Sequence, residues 1–161
     1  MDRITELAAQ VGAALKAEGL LLTTAESCTG GGIAHAVTEI AGSSEWFDRG
    51  FVTYSNAAKT EMLKVPETLL VRFGAVSEET AAAMAEGALA SSRAQAAVSV
   101  TGIAGPGGAV PGKPVGTVCF GWSYRGKTST QRLVFAGDRH SVREQSVAHS
   151  LQVLLRHLEE A

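Results

Sequence analysis

Residues 20–40 read LLLTTAESCTGGGIAHAVTEI, so that an apolar run, a polar turn rich in glycine and a helical pattern follow one another directly. The apolar run 20–24 is typical of a buried β-strand. The turn 25–32 leads into a segment whose apolar side chains recur at helical spacing up to Ile40. This strand–turn–helix unit predicts an α/β fold, in which helices pack on a sheet.

The rest of the sequence continues this alternation on both sides of the unit. An amphipathic helix is predicted before it, with Gly19 as its natural stop. After it, strands are predicted at about 50–54, 96–101, 115–124 and 127–135, and helices at about 56–63, 77–92 and 139–158. Helices separate the first strands and a hairpin joins the last two. We therefore expect a three-layer α/β/α sandwich on a mixed, mostly parallel sheet of about five strands.

The bulk composition narrows the class of protein. A chain of 161 residues with 45% hydrophobic and 19% charged residues fits one globular domain spanning 1–161. Lys and Arg total 14 against 16 Asp and Glu, and this net charge of −2 gives no electrostatic reason to expect a nucleic-acid partner or a DNA-processing role. The sequence has neither the apolar run of a signal peptide nor the roughly 20 apolar residues of a membrane span. We therefore expect a cytoplasmic protein with no membrane partner.

Cysteine and histidine usage argues against a metal site. The two cysteines, Cys28 and Cys119, are too few for a disulfide framework and are typical of a reducing compartment. The four histidines have no spacing typical of zinc ligands. We therefore expect neither a metal nor a cofactor. A metal hydrolase, which a chelator would inactivate, is the less favoured alternative.

Two serine-containing segments are candidates for binding or chemistry, because ligand sites in α/β sheets gather where strands end. In the turn 25–32, the glycines would let backbone N–H groups approach an anion at a helix N-terminus, or Ser27 and Thr29 merely cap that helix. In the segment 41–44, a serine could act as a nucleophile. That segment lacks the Gly-x-Ser-x-Gly elbow of α/β hydrolases, so by itself it favours a plain loop.

The segment 52–59 carries a lysine in an unusual position. If Ser55 or Asn56 caps the short helix, Lys59 lies in its first turn, where the positive end of the helix dipole opposes a cation. Partial burial would lower the pKa of the ammonium group further and leave a neutral amine that can act as a base. The alternative is a solvated lysine on a surface helix.

A long loop follows the predicted strand 96–101. Residues 102–114 include five glycines and three prolines, and a loop of this length in a compact domain favours a functional role over a plain connection. Glycine has no side chain, so a glycine-rich backbone lets a ligand ring or phosphate approach closely. Further along, Arg139 at the start of the last predicted helix is a candidate phosphate clamp, or an exposed charge beside Asp138.

Taken together and in this order, the segments resemble the CinA C-terminal domain family over about residues 4–158. The resemblance is carried by residues 25–31, 42–44, 52–59, 74–77, 101–108 and 137–139. It implies the stand-alone form of the family and the family's characterised activity. That activity is hydrolysis of nicotinamide mononucleotide to nicotinic acid mononucleotide and ammonia, with a small-molecule nucleotide as the partner.

The resemblance also implies roles for individual residues. It places the catalytic serine at Ser44, with Tyr54 and Lys59 as the accompanying residues. Ser44 would attack the carboxamide carbon while Lys59, directly or through the Tyr54 hydroxyl, takes its proton, and which of the two is the proximal base stays open. The residues expected to bind the substrate are Ser27, Thr29, Gly30, Asn56, Thr101, Gly102, Gly105 and Arg139.

Two alternatives concern function and one expectation concerns assembly. The chain could be a nucleotide-binding regulatory module that performs no hydrolysis. Within the enzyme class, Cys28 could replace Ser44, because a thiolate at a helix N-terminus is activated. We also expect a homo-oligomer, a dimer or larger, because Trp46 and Phe47 are predicted to form an exposed aromatic pair.

Overall fold

The computed structural model describes residues 2–160 and contains one five-stranded sheet in the order β2-β1-β3-β4-β5. The strands are β1 (Leu22–Glu26), β2 (Phe47–Val52), β3 (Ala96–Gly102), β4 (Thr117–Tyr124) and β5 (Lys127–Val134). Both neighbours of β1 run parallel to it, whereas β4 pairs antiparallel with β3 and with β5. The mixed sheet expected from the sequence is confirmed.

Helices cover both faces of this sheet. They are α1 (Arg3–Glu18), α2 (Gly32–Thr38), α3 (Asn56–Leu63), α4 (Glu67–Phe73), α5 (Glu78–Ala90) and α6 (Arg139–Glu159). One apolar cluster joins the sheet to α1, α2 and α6, and a second cluster joins its other face to α3, α4 and α5. The sheet therefore lies between two helical layers, which is the three-layer sandwich predicted from the sequence.

Two elements differ from the prediction. Strand β2 covers Phe47–Val52 instead of 50–54, because it is an edge strand whose exposed residues, Arg49 and Gly50 among them, give no clear apolar pattern. The sequence also gave no sign of α4, which buries only Leu70. A helix of seven residues with one buried side chain leaves almost no periodicity to detect.

The expectation of an exposed Trp46 is wrong. Its side chain is only 3% exposed and packs against α1 at Gly12, where a Cβ atom would lie 2.5 Å from the indole ring. Phe47 is half-buried. The aromatic pair therefore belongs to the interior, and the homo-oligomer stays a prediction without this support.

Two observations concern the described part of the chain as a whole. Among the helices of residues 2–160, none is both long and apolar enough to cross a membrane. Within the same residues, no group of three or more His, Cys, Asp or Glu side chains is placed to hold a metal ion.

The topology brings three loops to one edge of the sheet. The parallel strands β2, β1 and β3 end there side by side, as two backbone hydrogen bonds show: Ser27 N–H donates to Val100 O at 2.9 Å, and Thr53 N–H donates to Glu26 O at 2.8 Å. The chain after β1 therefore lies between the chain after β2 and the end of β3. This carboxyl edge is where ligands bind in α/β sheets.

Candidate active site

A serine and a buried lysine meet at the carboxyl edge of the sheet. Ser27 directly follows β1, and Ser55 caps α3 by accepting a 3.0 Å hydrogen bond from the Ala58 N–H. This cap sets Lys59 in the first turns of α3 with its side chain directed inward, only 1% exposed. The Lys59 Nζ lies 3.1 Å from the Ser27 Oγ.

Lys59 is buried without a carboxylate partner among residues 2–160. Its Nζ is 2.9 Å from the Thr53 carbonyl oxygen and 3.4 Å from that of Tyr54, and within residues 2–160 it forms no ion pair. Burial lowers the pKa of the lysine from its ordinary value, because the charged form loses its hydration. An amine in this state can take a proton from the neighbouring serine.

A cavity of about 230 Å³ opens beside this pair. Its wall includes most of the residues that the sequence placed in the site. These are Ser27, Tyr54, Asn56, Lys59, Thr101, Gly102 and Arg139, joined by Cys28, Ala75, Val76 and Ala104. The cavity therefore combines the serine–lysine pair with polar groups from the β2–α3 connection, the start of α3, β3 and α6.

Arg139 closes one side of the cavity together with the long loop and the β2–α3 connection. Its Nη1 donates to the Gly105 carbonyl oxygen at 2.8 Å, and its Nη2 donates to the Tyr54 hydroxyl at 3.3 Å. Gly105, also expected to bind substrate, does not line the cavity and is connected to it through this bond. Thr101 also helps to form the wall of the cavity. Its hydroxyl donates to the Ala75 carbonyl oxygen at 2.8 Å and so holds the segment between α4 and α5 against the cavity.

Tyr54 contacts the pair through its backbone and not through its phenol. Its carbonyl oxygen lies 3.4 Å from both Ser27 Oγ and Lys59 Nζ. Its side chain is 62% exposed, and within residues 2–160 the hydroxyl hydrogen-bonds to Arg139 alone. Of the two bases that the sequence left open, Lys59 is the one in contact with a serine hydroxyl.

The structure does not bring Ser44 to this site. Ser44 is exposed in a single 3-10 turn, Ser43–Glu45, that precedes β2, whereas Ser27 follows β1. The two strands are parallel, so the two serines lie at opposite edges of the sheet. Six residues of strand separate those edges by about 20 Å. Within residues 2–160 no contact connects Ser44 with Lys59 or Tyr54, so the expected proton transfer has no support from the structure of one molecule.

The anion at the N-terminus of α2 is supplied by the chain itself. The Glu26 carboxylate accepts hydrogen bonds from the Thr29 hydroxyl at 2.5 Å, the Ile33 N–H at 2.8 Å and the Ala34 N–H at 3.0 Å. Glu26 is 1% exposed. The ligand anion expected at this helix would meet an occupied position. Thr29 and Gly30, expected to bind substrate, do not line the cavity, and the Thr29 hydroxyl is already bonded.

The alternative nucleophile Cys28 is held as a thiol. Its side chain is 5% exposed and belongs to the apolar cluster on the α1 and α6 face. Burial raises the pKa of this thiol to about 12, so the thiolate that nucleophilic attack requires is not available near neutral pH. Its position at the foot of α2 does not activate it as the sequence suggested, because the nearby carboxylate of Glu26 also raises the pKa.

Sequence reasoning missed two contributors to the site. Glu26 was not assigned a role, although a carboxylate six residues before the start of α2 can reach the positive end of that helix. The backbone N–H groups of Cys28 and Thr29 also went unassigned. Neither donates to an acceptor within residues 2–160, which leaves two consecutive donors directly after Ser27 in the chain. Only the folded loop reveals them.

Comparison with known proteins gives consistent matches. A model of the CinA C-terminal domain matches residues 4–158. A protein of Enterobacter agglomerans named nicotinamide-nucleotide amidohydrolase PncC is 57% identical, over 96% of this chain and 94% of its own length. A protein of the same name from Pseudomonas putida is 52% identical, over 97% and 98% of the two chains. The crystal structure of the competence/damage inducible protein CihA from Agrobacterium tumefaciens superposes with a TM-score of 0.95 at 48% identity, covering 99% of this chain and 97% of that one.

Proposed function

The chain belongs to the CinA C-terminal domain family, and on that premise we propose that it hydrolyses the carboxamide of nicotinamide mononucleotide to nicotinic acid mononucleotide and ammonia. The observation that carries the proposal is the 3.1 Å contact between Ser27 Oγ and the buried Lys59 Nζ at a cavity. The name nicotinamide-nucleotide amidohydrolase of relatives that are 52% to 57% identical supports the choice of substrate.

Ser27 takes the role of nucleophile in this proposal, in place of Ser44. Neutral Lys59 accepts the Ser27 proton as Oγ forms a bond to the carboxamide carbon. The tetrahedral intermediate collapses when protonated Lys59 returns the proton to the departing nitrogen, which leaves as ammonia. The resulting acyl ester on Ser27 is cleaved by water, whose proton passes to the same amine. The Thr53 and Tyr54 carbonyl oxygens hold the amine in place throughout.

The negative charge of the tetrahedral intermediate requires nearby donors. The unpaired N–H groups of Cys28 and Thr29 follow the nucleophile directly in the chain. In serine hydrolases of the α/β class, the N–H of the residue after the nucleophile commonly stabilises the oxyanion. Preorganised donors of this kind are usually the largest single contribution to such a reaction.

The volume of the cavity suggests which part of the nucleotide it would hold. A volume of about 230 Å³ is below the roughly 300–1,000 Å³ of pockets for drug-sized ligands, so it suits the pyridine carboxamide better than the whole nucleotide. The ribose and phosphate would extend toward the exposed rim. There, the Arg139 guanidinium and the Asn56 amide are the polar side chains available to them, and a guanidinium suits a phosphate.

The test is ammonia release from nicotinamide mononucleotide by the purified chain with a chelator present. We expect ammonia and nicotinic acid mononucleotide in equal amounts, and much slower release from free nicotinamide, which lacks the phosphate that Arg139 would bind. A serine-directed fluorophosphonate should add its mass to the peptide that contains Ser27 and to no other. Folded protein that binds the nucleotide, seen as a rise in Tm, but releases no ammonia would instead support a regulatory binding module.

A further inference from the structure

A second and larger cavity lies behind the loop that carries Ser27. It has a volume of about 630 Å³ and is lined by the start of α1, by α2 and by the first turns of α6. It shares no lining residue with the cavity beside Ser27 and Lys59. Cys28 lines one cavity and Thr29 lines the other, so this stretch of loop forms the wall between them.

Arg143 reaches this wall from the rear cavity. Its Nε donates to the Cys28 carbonyl oxygen at 3.1 Å and its Nη2 donates to the Thr29 carbonyl oxygen at 3.3 Å. Within residues 2–160 it forms no ion pair with a carboxylate. The charge of this guanidinium is therefore directed at two consecutive carbonyl groups of the nucleophile loop. Glycine at position 30 leaves room for it, since a Cβ there would lie 3.3 Å from Nη2.

These bonds determine where the neighbouring N–H groups point. The peptide bonds after Ser27 and Cys28 are trans, and in a trans peptide the C=O and the following N–H point in opposite directions. The Cys28 carbonyl points to Arg143, so the Thr29 N–H points away from the rear cavity. The Ser27 carbonyl accepts from the Gly30 N–H at 3.0 Å, which fixes the Cys28 N–H in the same way.

We propose that Arg143 is a positioning residue: by holding the Cys28 and Thr29 carbonyl groups it fixes the loop so that the N–H group of Cys28, which lines the cavity beside Ser27, faces the reacting carboxamide. The inference rests on the proposed function and adds a residue that does not touch the substrate. Gly30 and Gly31 have positive φ values of 59° and 99°, and consecutive glycines give the loop conformational freedom that an anchor must remove. Arg143 also strengthens the Cys28 N–H as a donor. Its Nη2 bonds to the Thr29 carbonyl, the Gly30 N–H of that peptide donates to the Ser27 carbonyl, and hydrogen bonds in series polarise one another.

The first test replaces Arg143 by Met, which keeps the apolar stem and removes the donors. We expect kcat for nicotinamide mononucleotide to fall about 10- to 100-fold, somewhat less than the loss of an oxyanion donor itself, with KM changed less than twofold. Arg143→Lys should retain part of the activity. The control is Arg156→Met on the same helix, an exposed arginine, which should leave both constants unchanged.

The second test is chemical rescue, which a merely structural role would not show. Arg143→Ala opens the rear cavity further, and guanidinium at millimolar concentration should restore part of the lost kcat, whereas ammonium should not. The same guanidinium should have no effect on Ser27→Ala. An unchanged kcat in Arg143→Met overturns the inference, and so does a loss of activity that follows Tm and resists rescue.

Failure of the inference and failure of the proposed function are distinguishable. If wild type hydrolyses the nucleotide and Arg143→Met does so equally fast, only the inference fails. If wild type is inactive, the proposed function fails, and the amide resonances of Cys28 and Thr29 still test the orientation of the loop. We expect both resonances to shift in Arg143→Met and to stay in place in Arg156→Met. Unchanged resonances would contradict the role of Arg143.

Discussion

The carboxyl edge and the amino edge of the parallel strands each hold a serine and a lysine, but at the carboxyl edge the two side chains form a buried pair. At the carboxyl edge, Lys59 is 1% exposed, lies 3.1 Å from Ser27 and has a lowered pKa because it is buried. At the amino edge, Ser44 is exposed, and Lys16 forms an ion pair of 2.8 Å with the adjacent Glu45. That carboxylate raises the pKa of Lys16, chiefly through its hydrogen bond.

The comparison shows what the sheet topology contributes. Three parallel strands end at the carboxyl edge, so three loops converge there and bury one another's polar groups. A lysine in such a place loses hydration without gaining a carboxylate, and the pKa of its ammonium group falls. The turn before β2 is exposed to solvent. Lys16 of α1 stays paired with Glu45 there, so it offers Ser44 no neutral amine.

The largest expected effect separates the two serines. Ser27→Ala should lower kcat for nicotinamide mononucleotide at least about a thousandfold, because loss of a nucleophile leaves only the binding groups. Ser44→Ala should change kcat less than about twofold, as surface substitutions usually do little. Both variants are measured by ammonia release at saturating substrate. The reverse result, with Ser44→Ala inactive and Ser27→Ala active, would return the nucleophile to the amino edge.

The two lysines should differ almost as much. Lys59→Met should reduce kcat about 10²- to 10⁴-fold, the range of a general base, whereas Lys16→Met should leave it unchanged. In wild type, kcat/KM should rise as pH rises through the lowered pKa of Lys59, since the neutral amine is the active form. A rate that stays flat from pH 6 to pH 10 would be incompatible with Lys59 as the base.

A smaller effect is expected at the rim of the cavity. Arg139→Ala should raise KM for nicotinamide mononucleotide about tenfold, roughly 1.4 kcal/mol of binding, and change kcat little. Its guanidinium bonds to Tyr54 and Gly105 but not to Ser27 or Lys59. Arg125→Ala on the β4–β5 turn is the control, and steady-state kinetics measure both variants. An unchanged KM would remove Arg139 from phosphate binding.

The smallest effect concerns stability and has opposite signs at the two edges. The pKa of Lys59 is lower in the folded state, so the unfolded chain binds more protons and this lysine destabilises the fold until pH exceeds its ordinary pKa. Lys59→Met should therefore raise Tm by a few degrees at pH 6, and the gain should shrink toward pH 10. The pKa of Lys16 is raised, so its weak stabilisation is present at low pH and is lost as pH rises through that value. Thermal melts across this pH range measure both, and a gain for Lys59→Met that grew with pH would contradict the assignment.

The sequence predicted the layers of the fold better than it predicted the nucleophile. Apolar runs and helical spacing identified the buried strands and most helices, because burial leaves a pattern that can be read without coordinates. The same patterns identified Lys59 and Arg139 near strand ends. Ser44 was assigned its role from the family resemblance, which does not show at which edge of the sheet a residue lies. A residue that precedes one of two parallel strands and a residue that follows the other lie at opposite edges of the sheet. This becomes clear only when the strand order is known.

Other features of the site depend on hydrogen bonds that composition does not determine. Thr29 lies in the expected segment, yet its hydroxyl is directed to Glu26 and away from the cavity. Trp46 looked exposed because aromatic pairs in loops often are, but glycine at position 12 of α1 makes room for its ring. In both cases a neighbour distant in sequence or a side-chain rotamer decides the outcome.

The buried carboxylate at the start of α2 has a consequence for turnover. The Glu26 carboxylate lies one residue before Ser27, and the donors that it meets within residues 2–160, a hydroxyl and two backbone N–H groups, are neutral. The proposed reaction converts a neutral amide beside Ser27 into a second carboxylate. Like charges in a partly desolvated site repel one another, so the acid product is held less tightly than the amide from which it came. In the proposed reaction, the carboxylate that anchors the loop would also favour product release and keep the acid from competing with fresh substrate.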